Sequence, residues 1–66
     1  MRNILREERT KNGLTQIQLA DLVGVSRQSI IAIETKKYTP TIILALKLAK
    51  ALNKKVEELF FLENDD

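Results

Sequence analysis

Residues 15–40 read TQIQLADLVGVSRQSIIAIETKKYTP, and the spacing within this stretch determines how the rest of the chain is read. Thr15 suits a helix N-cap, and Gln18 stands three residues on, completing a capping box for a helix to about Val23. Gly24 ends that helix, because a sharp turn there needs a residue that tolerates positive φ. Ser26 can cap a second helix to about Thr35, with Ile30 and Ile33 facing inward. Pro40 disfavours helix at Thr39, so Lys36–Pro40 is a loop.

Helix, four-residue break, helix has the dimensions of a helix-turn-helix. Two helices crossing tightly need a small side chain at the crossing, which Ala20 supplies. Gly24 follows four residues on, and Ile30, six further, offers a β-branched side chain to lock the second helix onto the first. Leu19, Val23, Val25 and Ile33 take the remaining inward positions. The competing reading is an ordinary αα-hairpin with a glycine turn.

On the N-terminal side, Arg2–Asn12 reads as a helix on which Ile4, Leu5 and the aliphatic stem of Arg9 share a face, with Gly13 as a left-handed C-cap. On the C-terminal side, Thr41 caps a helix to about Leu52. Its expected apolar stripe is Ile42, Ala45, Leu46, Ala49 and Leu52, and Asn53 fits its C-cap. A short turn from Val56 to Phe60 adds Val56, Leu59 and Phe60 to the core. Phe61-Leu62 then follows with little left to bury it. The expected architecture is a single all-α domain over residues 1–66: five helices with short connections and a short extended tail that could form a small strand.

Composition narrows the function. A 66-residue chain buries only about 60% of its unfolded surface, so it depends on good packing or a partner subunit. It has no Cys and no His, and hence no disulfide, no zinc staple and no expected metal site or cofactor. The formal charge of +2 is uneven: residues 57–66 hold five acids and no base, leaving eleven bases against four acids elsewhere, a formal +7. A basic body with an acidic end suits a module that binds a polyanion. No enzyme is expected. Glu7-Glu8 and Glu57-Glu58 are not acid–base pairs, because adjacent helical residues point in different directions. Met1–Gly13 is charged where a signal peptide would be apolar, so the cytoplasm is the expected compartment. The apolar run Ile42–Leu46 falls far short of a membrane span, and no small-molecule pocket is expected in so small a core.

The quoted run resembles the Cro/repressor-type (XRE-like) helix-turn-helix family, whose wording is close to TQEELAxxLGVSRQTINAIExGKYxP. The resemblance extends from residue 2 to about 62, and the chain is similar to the small stand-alone repressors of that family, the cytolysin-repressor type among them. It implies a five-helix, lambda-repressor-like fold and sequence-specific binding of double-stranded DNA, with the helix that begins after Ser26 in the major groove. By that analogy Arg27 and Gln28 read base edges, Arg matching guanine O6/N7 and Gln matching adenine N6/N7. Thr15 and Gln16 would hold a phosphate at a helix N-terminus, and Lys36, Lys37, Tyr38 and Thr41 would clamp phosphates on the other side. Ile31 stands where Asn is common and Ile17 where Glu is usual. Ile31 either presses on a thymine methyl or is an ordinary exposed aliphatic residue; for Ile17 the second reading is the better one. Matching positions in the family imply an ion pair between Arg9 and Glu34.

Relatives of this length pair through the fifth helix and tail, which implies a homodimer on a palindromic operator. Leu59, Phe61 and Leu62 are the expected interface residues, with Ile43 and Leu44 as additional contacts. The implied role is a transcriptional regulator of the repressor kind. The alternatives are an antitoxin that binds DNA while neutralising a toxin, although such proteins usually carry an extra toxin-binding segment, and a protein-interaction module that has lost DNA binding.

Overall fold

Three helices begin at a hydroxyl. In the computed structural model, which describes all residues Met1–Asp66, the side-chain oxygens of Thr15, Ser26 and Thr41 accept from the backbone N–H of Gln18, Ser29 and Leu44. These caps satisfy amides that have no acceptor inside the helix. They open α2 (Gln16–Val23), α3 (Arg27–Glu34) and α4 (Ile42–Ala51). At α2 the capping box is complete, with Thr15 N–H donating to Gln18 Oε1 at 2.9 Å. Gly24 closes α2 at φ 75°, a left-handed conformation that a side chain rarely tolerates. Asn53 takes the same region after α4 at φ 55°, as does Lys36 after α3 at φ 64°.

The remaining elements are α1 (Leu5–Lys11), α5 (Val56–Leu59) and two short strands, β1 (Arg2–Asn3) and β2 (Phe60–Phe61). The strands pair antiparallel, Arg2 opposite Phe61 and Asn3 opposite Phe60. The first helix therefore starts at Leu5, three residues later than its sequence suggests. Arg2 and Asn3 are drawn into extended pairing with the far end of the chain. Asn3 fixes this junction from both sides: its Nδ2 donates to the Ile33 carbonyl at 3.0 Å, and its Oδ1 accepts from the Leu5 N–H at 3.1 Å. The fifth helix likewise ends at Leu59, because Phe60 leaves it to join β2.

Leu5, Leu19, Ile30, Ile33, Leu48, Leu52 and Leu59 are almost wholly withdrawn from solvent and form the centre of the core. Helix α4 turns a different face inward from the one its sequence suggests. Its buried face is Leu44, Ala45, Leu48 and Ala49, continued by Leu52, whereas Ile42 and Leu46 are 67% and 55% exposed. The five-residue apolar run allowed two faces at helical spacing, and α2 and α5 pack against the one that carries Leu44 and Leu48. Leu44 thus belongs to the core and is lost as an outer contact, while Ile43 stays exposed. Leu59 is also fully buried within its own chain and has no surface to offer a partner. No helix is long and apolar enough to cross a membrane.

Candidate nucleic-acid interface

Helix α3 crosses α2 with Ile30 and Ile33 completely buried. That anchoring fixes what faces away: Arg27 and Gln28 are exposed in its first turn, and Ile31, one turn on, is half-buried. The N-terminus of α2 lies alongside. Thr15 N–H and Gln18 N–H are taken up in the capping box, whereas the N–H groups of Gln16 and Ile17 donate to nothing within the chain. Free amides at a helix start suit an anion. Thr15, Gln16 and Arg27 border one open depression, together with Ile17.

On the other flank of α3, Tyr38 and Thr41 line a second depression that also includes Ser29. Tyr38 is 43% exposed, and Lys36 and Lys37 beside it are exposed. The structure therefore brings Thr15 and Gln16 beside Arg27, and Tyr38 and Thr41 beside Ser29, while Gln28, Lys36 and Lys37 are exposed on and just after α3. Two cations on these rims were not anticipated. Arg6 lines the first depression and Lys47 the second. Arg6 precedes Arg9 by one helical turn and so shares its side, which was the available signal. Lys47 depended on knowing which face of α4 is buried.

Beneath the first depression lie Arg9 and Glu34, whose side chains are 10% and 4% exposed. Arg9 Nε donates to Glu34 Oε2 at 2.7 Å, Arg9 Nη2 to Oε1 at 3.3 Å, and Arg9 Nη1 to the Leu14 carbonyl at 2.8 Å. The pair ties α1 to the end of α3, and no buried side-chain polar atom of the protein lacks a partner. A second buried carboxylate, Glu8, went unnoticed in the sequence. It meets Lys11 at 3.4 Å and Lys54 at 3.9 Å, joining α1 to the α4–α5 connection.

At the tail, Phe61 is half-buried, and the Arg2 guanidinium lies 5.1 Å from its ring centroid, a cation–π contact that covers one face. Leu62 is 85% exposed. Beyond it, the terminal ammonium of Met1 contacts Asp66 Oδ1 at 2.9 Å and Glu63 Oε1 at 3.4 Å.

Comparison with known proteins agrees with this geometry. The family model described as helix-turn-helix matches residues 5–59. An uncharacterised HTH-type transcriptional regulator of Methanothermobacter thermautotrophicus is 48% identical over 66 residues, covering 98% of this chain and 96% of the relative. An uncharacterised HTH-type transcriptional regulator of Bacillus subtilis, YgzD, is 42% identical over the full length of both chains. Among solved structures, the restriction-modification controller protein C.AhdI from Aeromonas hydrophila superposes with a TM-score of 0.79 at 41% identity, covering 85% of each chain. The chain belongs to the helix-turn-helix family of DNA-binding transcription regulators.

Proposed function

We propose that the chain is a repressor that reads a palindromic operator in double-stranded DNA as a homodimer. The observation that carries this reading is α3 anchored by Ile30 and Ile33, with Arg27, Gln28 and Ile31 on its outer side and phosphate-capable groups on both flanks. In the major groove Arg27 pairs with guanine and Gln28 with adenine, while Ile31 lies against a thymine methyl. The free amides at the start of α2, with Thr15 and Gln16, hold one phosphate. Lys36, Lys37, Tyr38 and Thr41 hold the backbone across the groove. Similarity to a protein named as a restriction-modification controller supports a regulatory role.

The dimer reading rests on exposed apolar surface. Leu62 projects at the tail beside Phe61, and Ile43 stands out on α4 at 65% exposure next to Ile42 and Leu46. Apolar side chains grouped at a surface mark an interface. To read half-sites one turn of DNA apart, the two α3 helices of such a dimer must stand about 34 Å apart.

Selection of bound sites from a random duplex library tests the whole reading. A palindrome with half-sites one turn apart is the expected outcome; a pool without sequence preference would sink it. Sedimentation at micromolar concentration tests the assembly: wild type sediments as a dimer and Leu62→Asp as a folded monomer. A wild-type monomer would leave the DNA itself to bring two copies together.

A further inference from the structure

The side-chain amide of Gln16 lies between two groups of fixed hydrogen-bonding character. Its Nε2 donates to Glu34 Oε1 at 3.2 Å, and its Oε1 accepts from Arg27 Nε at 3.3 Å. Glu34 is in turn held by Arg9. Four side chains from three helices therefore form one connected line, Arg9–Glu34–Gln16–Arg27, running from the interior to the exposed first turn of α3.

This line has a direction. A carboxylate only accepts hydrogen bonds and a guanidinium only donates them. Reversing the Gln16 amide would set its oxygen against the Glu34 carboxylate and its NH2 against Arg27, losing both bonds. Glu34, only 4% exposed and locked to Arg9, cannot swing away to relieve that conflict. The buried carboxylate thus dictates which end of Gln16 faces Arg27.

We infer that Glu34 is a positioning residue for DNA reading: acting through Gln16, it holds Arg27 by Nε and leaves Nη1 and Nη2 as the fork that meets guanine. The inference rests on the reading of Arg27 as a base reader. Arg27 is otherwise a long, exposed side chain whose freedom would have to be given up on binding, and fixing it beforehand removes part of that cost. Gln28 has no part in the line, so its recognition of a base is independent of Glu34.

Gln16→Met tests this, because it removes both bonds and leaves the Arg9–Glu34 pair in place. In the free protein, the Arg27 Nε–H proton of wild type exchanges slowly by NMR and that of Gln16→Met exchanges at the rate of a solvated arginine. On DNA, the ratio of operator to random-sequence affinity falls by on the order of tenfold, the scale of one charge-assisted hydrogen bond. The loss is confined to the guanine position. A Gln16 that merely touched phosphate would weaken operator and random DNA alike and leave the ratio unchanged, which would overturn the inference. In an Arg27→Ala background, Gln16→Met changes the ratio no further. Glu34 itself is tested by Arg9→Met with Glu34→Met, an apolar pair that removes the carboxylate without stranding a buried charge. Its ratio falls as in Gln16→Met, and an unchanged ratio refutes the role of Glu34. The NMR arm needs no DNA: fast exchange of Arg27 Nε–H in wild type ends the inference, while absence of any preferred duplex ends the DNA-reading proposal instead.

Discussion

Replacing Glu34 by Ala removes an acceptor that three hydrogen bonds converge on: two from Arg9 and one from Gln16. The Arg9 guanidinium, 10% exposed, would keep only the Leu14 carbonyl at 2.8 Å and would stand as an uncompensated charge between α1 and α3. An intact buried pair adds little net stability, since desolvation offsets most of the attraction. Stripping one member of such a pair costs about 3–5 kcal/mol. A domain of this length has roughly 3–10 kcal/mol in total, from about 0.05–0.15 kcal/mol per residue. Glu34→Ala should therefore lose a third of the stability or more, and lower the melting temperature by at least about 12 °C. Urea and thermal unfolding followed by circular dichroism measure this directly. Arg9→Met combined with Glu34→Met should recover most of the loss, because no charge is then left buried. If Glu34→Ala melted at the wild-type temperature, the guanidinium would have to be finding water, and the buried-pair argument would be wrong.

Four further outcomes are expected. Arg27→Ala should cost about 1–3 kcal/mol on the selected site and relax preference at one base pair. Lys37→Ala should weaken all sequences alike and flatten the salt dependence by about one unit; an unchanged operator-to-random ratio for Arg27→Ala would remove its reading role. Lys36→Gly should stabilise the fold by about 1 kcal/mol, because Lys36 holds φ 64°, where a Cβ is penalised. The same change removes a cation from the phosphate clamp, so a lowered melting temperature would contradict the strain argument. The chain ends should respond to pH at both extremes. The side chain of Asp66 raises the Met1 ammonium above its ordinary 8.0, so that contribution is full below 8.0 and lost as pH climbs past the raised value. Asp66 is lowered below 3.8, first by the Glu63 backbone N–H and then by the ammonium, so its contribution is full above 3.8 and lost as pH falls through the lowered value. NMR shifts of Asp66 should stay flat between those limits; titration at or above 3.8 would show that the clamp is not formed.

The sequence by itself determined the two helices that carry the proposed interface. Thr15, Gln18, Gly24, Ser26 and Thr41 act through bonds and dihedrals that span no more than a turn, so their chemistry is readable wherever the rest of the chain goes. Ile30 and Ile33 follow from the same local period, and with them the outward placing of Arg27 and Gln28. Only the tertiary structure decided the face of α4. The run from Ile42 to Leu46 offers two apolar stripes, and the choice lies with the helices that dock on it. Arg2 and Asn3 carry no strand pattern of their own; they become extended because Phe60 and Phe61 present a free edge from the other end of the chain. That same pairing places Arg2 over Phe61 and leaves Leu62 outside, while packing of α5 into the core withdraws Leu59 from any interface. The link from Glu34 through Gln16 to Arg27 is of the same kind. It joins groups brought together by packing, and no spacing rule along one helix can anticipate a bond made between three.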